Sequence, residues 1–137
     1  MPSILTGSVR ITGTDHENWP NTDEHIDMTH NLGFVLNVDQ PAISLDVPHA
    51  RWGGECRTEL QVNARAVSDG AIQIEGEARF YEGGSECTDD LEDRKQVMFI
   101  VLRNNEHNTR ATHHFIQLVN PGNGDHSEIT FNVYNWG

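Results

Sequence analysis

Between Arg57 and Tyr81, apolar and polar residues alternate one by one. A strand half-buried on one face uses that period, and a helix cannot. Leu60, Val62, Ala64 and Ala66 alternate with Glu59, Gln61, Asn63 and Arg65. After Ser68-Asp69-Gly70, Ile72, Ile74, Ala78 and Phe80 alternate with Gln73, Glu75, Glu77 and Arg79. Two antiparallel strands around a tight turn follow. One face must pack on a core while the other meets water, which points to a β-sandwich or barrel.

The turn also predicts a register, because directly opposed residues share a face of the sheet. A two-residue loop would set Ala66 against Gln73 and mix the faces. A three-residue loop pairs Val67 with Ala71, Ala66 with Ile72 and Leu60 with Ala78. That geometry asks for a left-handed Gly70 in a G1 bulge. Gly76, opposite Val62, marks a bend or a close backbone approach.

Elsewhere the chain repeats the theme in shorter pieces. Ile4 to Thr12 reads as a strand, then Gly13 to Asn31 as a long polar loop. Phe34 to Val38 and Ile43 to Val47 read as a hairpin, and Pro48 to Glu55 as a loop. Glu82 to Arg94 is a second polar loop. Gln96 to Arg103 is apolar on both faces, as a central strand would be, and Thr112 to Val119 and Ser127 to Trp136 complete the set. The expected fold is all-β: a single-domain antiparallel β-sandwich of Greek-key or jelly-roll type with about eight strands.

At 137 residues the chain can bury enough surface to fold without a metal or disulfide. With 21 acidic against 9 basic residues, a formal charge of −12, it lacks the basic face that nucleic acid requires. No stretch approaches the roughly 20 apolar residues of a membrane-spanning helix. The first residues have neither a basic segment nor an apolar run, so a cytoplasmic location is the default, or an extracellular one if the chain is a mature form.

Three groups of residues could carry chemistry. The segment Glu82 to Asp93 holds six carboxylates. Glu86, Asp89, Asp90, Glu92 and Asp93 are the candidate ligands for calcium, which takes six to eight oxygens from flexible acidic loops. If the fold brings the polar loop after Gly13 to the same end, Asp15, Glu17, Asp23 and Asp27 could complete that site. The eight histidines show no zinc-ligand spacing, and His113 and His114, adjacent on a strand, point to opposite faces. Trp52, flanked by Arg51 and Glu55, with Trp19 further away, is the candidate platform for a sugar ring. The alternative is an indole folded into the sandwich. Cys56 falls opposite Glu82 in the predicted register, near enough to Cys87 for a disulfide in an oxidising environment.

No nucleophile motif is present, and no catalytic constellation is visible. The sequence is read as a non-catalytic, lectin-like module for a small polar ligand, carbohydrate first, with calcium as a candidate aid. A calcium-dependent phospholipid binder of the C2 kind and a small metal-dependent hydrolase are the alternatives.

Overall fold

The computed structural model describes residues 2–16, 22–85, 88–105, 107 and 109–137, without the side chains of 84, 85, 88 and 89. Among the described residues there are nine strands in two antiparallel sheets, packed as a β-sandwich. They are β1 (Ser3–Asp15), β2 (Glu24–Leu36), β3 (Ile43–Ser44), β4 (Ala50–Trp52), β5 (Cys56–Ala66), β6 (Ile72–Ser85), β7 (Thr88–Val101), β8 (Thr112–Val119) and β9 (His126–Trp136). One sheet runs β2-β1-β9-β8. The other runs β3-β5-β6-β7, with β4 also pairing β5. No helix among the described residues is long and apolar enough to cross a membrane.

The β5–β6 hairpin has the predicted register: Ala66 faces Ile72, Leu60 faces Ala78 and Cys56 faces Glu82. Val67 N–H donates to Ala71 O at 2.9 Å, Gly70 N–H to Val67 O at 2.8 Å, and Gly70 has φ 86°. Gly76 is a close approach, since a Cβ there would lie 1.9 Å from Gln61 O.

Two expected loops are largely strand, and a third contains a short one. The segment Gly13 to Asn31 carries the end of β1 and half of β2, and Glu24 to Leu36 pairs with Ser3 to Asp15 residue by residue. Ile26, Met28, Leu32, Phe34 and Leu36 do alternate inward. The pattern is interrupted by His30 at an inward position, and its outward residues are polar enough to read as loop. Similarly, β6 and β7 extend into the acidic segment, and Ala50–Trp52 is a short strand with both ends buried.

The core lies between the sheets: Leu5, Val9 and Ile11 of β1, Leu60, Val62 and Ala64 of β5, Ile72, Ile74 and Phe80 of β6, and Ile129, Phe131 and Val133 of β9. At one end, Asn135 closes the gap. Its buried amide donates to Gly70 O at 2.8 Å and to Val101 O at 3.0 Å. Toward the other end the contacts between the sheets turn polar. Thr58 donates to Ser127 Oγ at 2.7 Å, and Ser127 donates to Thr12 O at 3.1 Å.

Candidate functional sites

Beyond that polar rung, each strand keeps its inward parity but changes chemistry. Ile11 is followed two and four residues on by Gly13 and Asp15. Phe80 is followed by Glu82. Leu60 is preceded by Thr58 and Cys56, and Ile129 by Ser127 and Asp125. Asp15, Cys56, Glu82 and Asp125 therefore converge between the ends of four strands, two from each sheet, with one potential ligand atom from each lying within 4.8 Å of all the others. Asp15, Cys56 and Asp125 are buried and Glu82 is partly so.

Asn120 and Asn123 donate to Glu82 Oε2 and Oε1 at 3.0 and 2.6 Å. His16 backbone N–H donates to Asp125 Oδ1 at 2.8 Å, while Asp125 Oδ2 meets no donor. Burial, more than anything else, lifts the Glu82 carboxyl above its ordinary range. The adjacent Asp125 adds to this, against the two amides. Burial, followed by the charges of Asp15, Glu82, Asp125 and Glu55, pushes the Cys56 thiol far up. At the exposed rim the His16 ring sits 3.0 Å from Asp23, which raises its pKa.

Part of this was legible: Asp15 and Glu82 both belong to the polar segments singled out above, and those segments do meet at one end. Cys56 and Asp125 were missed as partners. Carrying each strand's inward parity past its apolar run would have found both.

The other predicted ligands that are described stand outside this cluster. Asp90 is exposed opposite Glu82, Leu91 faces Tyr81, Asp93 faces Phe80, and Glu92 is the extra residue of a β-bulge. Asp93 ties strands together: its Oδ2 accepts from Val119 N–H at 3.0 Å and its Oδ1 from Arg94 N–H at 2.8 Å. A strand, not a flexible loop, carries these carboxylates. Glu86, Glu17 and the side chain of Asp89 lie outside the described residues. Asp27 pairs with Arg10 on the exterior at 2.6 Å.

The sugar-platform residues are also redistributed. Trp52 is only 6% exposed and stacks on Phe80, with ring centroids 5.8 Å apart and planes 3° apart. A Cβ at Gly13 would lie 2.4 Å from Trp52 Cζ2, so the indole rests on the opposite sheet's backbone. It is a core residue rather than a surface platform. Arg51 and Glu55 are exposed beside it. Trp19 lies outside the described residues, as does Cys87; Cys56 is a free, buried thiol.

A second candidate site occupies the outer face of the five-stranded sheet. Ser44 of β3, Asp46 and His49 of the β3–β4 connection, and Glu59, Gln61, Glu77 and Arg79 of β5 and β6 line a groove of about 270 Å³. The charges of Glu59, Glu77 and Arg79 are held in ion pairs. Arg57 and His49 contact Glu59 at 3.0 and 3.3 Å; Arg79 and Arg94 contact Glu77 at 2.6 and 2.9 Å. Arg57 also lies over the Tyr81 ring, 4.3 Å from its centroid. Asp46, with φ 52°, is the one non-glycine residue in the left-handed region among those described. Such backbone strain tends to collect at binding sites.

No family model, curated protein or solved structure matches the chain.

Proposed function

We propose that the protein is a non-catalytic binding module for a small, uncharged, hydroxyl-rich ligand, a carbohydrate, held in the outer groove of the five-stranded sheet. The observation that carries this reading is the balanced, preorganised polar lining. Glu59 and Glu77 offer acceptors and Arg79 offers donors, and their ion pairs hold them in place on a rigid sheet. Gln61 supplies both a donor and an acceptor. Anionic ligands would meet the field of a chain with formal charge −12. A neutral polyol meets no such barrier.

The groove is slightly smaller than the roughly 300–1,000 Å³ of typical small-molecule sites. Four or so hydrogen bonds at about 1 kcal/mol net each give an affinity near millimolar. Useful avidity then requires several copies or a repeating ligand. Trp52 has no part in this reading.

Saturation-transfer NMR against a panel of neutral and sulfated oligosaccharides, alongside phosphatidylserine vesicles with and without Ca²⁺, tests it. A neutral glycan should bind, and Gln61→Ala should weaken that binding without lowering the melting temperature. Binding of vesicles alone, or of no neutral sugar at roughly 10 mM, ten times the expected constant, overturns the reading.

A further inference from the structure

We propose that Asp15, Cys56, Glu82 and Asp125 form a buried site for a zinc-class divalent cation at the polar end of the sandwich. Two independent observations carry it. The first is convergence: four potential ligand atoms from two sheets lie within 4.8 Å of one another. The second is an unsatisfied acceptor. Asp125 is 1% exposed; His16 N–H occupies its Oδ1, its Oδ2 has no donor, and its carboxyl interacts with that of Glu82. Buried carboxylate oxygens left without a donor are costly. Carboxyl groups packed together repel unless a proton or a cation lies between them. A bound cation satisfies all of these demands at once.

The donor set selects the metal. Zinc takes thiolate sulfur at about 2.3 Å and carboxylate oxygen at about 2.0–2.2 Å, usually four in a tetrahedron. Those bond lengths put neighbouring donors about 3.3–3.6 Å apart, so side-chain adjustments of about 1 Å from the present spread close the site. Calcium takes about six to eight oxygens. This group offers three carboxylates and a sulfur, and both Glu82 oxygens already accept from asparagines. Soft sulfur among oxygens favours zinc over calcium or magnesium. On binding, Cys56 ligates as thiolate and its proton leaves to solvent.

The location gives the metal a structural task. Asp15 ends β1 and Asp125 leads into β9, whereas Cys56 and Glu82 face each other across β5 and β6. A cation held by all four clamps the two sheets together, as Asn135 does at the far end. The site is separate from the sugar groove, so either can fail without the other.

Metal-stripped full-length protein, kept reduced with a phosphine, is titrated with Zn²⁺, Ca²⁺ and Co²⁺ while melting temperature and absorption are recorded. One equivalent of Zn²⁺ should bind and raise the melting temperature, with Ca²⁺ ineffective. Co²⁺ should give tetrahedral visible bands and a sulfur-to-cobalt charge-transfer band. Cys56→Ser should lose that band, whereas Cys87→Ser should keep it. Removing groups that merely support a ligand costs about 10–100-fold in metal affinity, so losing Cys56 should cost about 100-fold or more. Asp125→Asn guards against a variant that simply fails to fold. It should raise the metal-free melting temperature by relieving repulsion, and should abolish the further rise with Zn²⁺. Melting temperatures indifferent to Zn²⁺, binding of Ca²⁺ in preference to it, or unaltered Zn²⁺ binding by Cys56→Ser each overturn the proposal. In the first case the carboxyls share a proton instead.

Discussion

Replacing Trp52 separates a core indole from a surface one by energy alone. The side chain is 6% exposed, lies parallel to Phe80 and rests on the backbone at Gly13. A buried tryptophan removes about 150–250 Å² from water. Truncation to alanine forfeits most of that at about 25 cal/mol per Å², or about 4 kcal/mol. Loss of the ring stack adds about 1 kcal/mol. Against this, Trp52 Nε1 has no hydrogen-bond partner, and removing such a donor returns about 1–2 kcal/mol. The net expectation for Trp52→Ala is therefore about 3–4 kcal/mol, within the range for aromatic-to-alanine core changes. Trp52→Phe keeps a ring on Phe80 and discards the stranded N–H, so it should cost only about 1 kcal/mol. Urea denaturation followed by circular dichroism measures both. A loss below about 0.5 kcal/mol for Trp52→Ala, the usual effect at exposed positions, would show that the indole is not packed between the sheets and would return it to the surface as a candidate sugar platform.

Other outcomes follow from single contacts. Gly76→Ala must push β5 away, because its Cβ would sit 1.9 Å from Gln61 O. It should cost about 3 kcal/mol, the top of the overpacking range. Gly33→Ala, with nothing within 4 Å, is its near-neutral control in the same denaturation assay. Ser127→Ala leaves the buried Thr58 hydroxyl without its acceptor and should cost about 1–3 kcal/mol, whereas Thr58→Val should cost about 1 kcal/mol, and equal effects would refute the direction of that hydrogen bond. Asp27 is held below its ordinary pKa by the hydrogen bond and charge of Arg10. Its contribution to stability is present above the unfolded-state value near 3.9 and is lost as pH falls through the folded value. A carboxyl NMR titration should show this depression, and Arg10→Gln should abolish it.

Period and turn chemistry made the β5–β6 hairpin legible to the residue, since one parity alone buries both apolar sets and Gly70 permits one loop. β2 was hidden because burial at its positions is partial: Ile26, Met28 and Phe34 pack at the margin of the core, and His30 takes an inward position. Trp52 was open to both readings, platform and core, because its strand is three residues long and ends at two left-handed glycines, Gly53 and Gly54. The acidic end was half legible. Local carboxylate density drew attention to Glu82 through Asp93, but the residues that converge were set by strand parity and by which sheets meet. Asp125 stands alone between Gly124 and His126 in the sequence, and only the other strands bring it company.

The strand order has a consequence for how the molecule is made. The five-stranded sheet is assembled from consecutive residues, from Ile43 to Val101, whereas β1 occupies the interior of the other sheet between β2 and β9. Ile11 cannot meet Ile129 until almost the whole chain has left the ribosome. Until then the β1–β2 hairpin must wait with one edge of β1 open, a template for the wrong partner. Closing so long a loop makes the arrival of β9 the slow, late step of folding. Truncations that remove β9, from His126 onward, should therefore yield aggregated chains rather than a smaller sandwich.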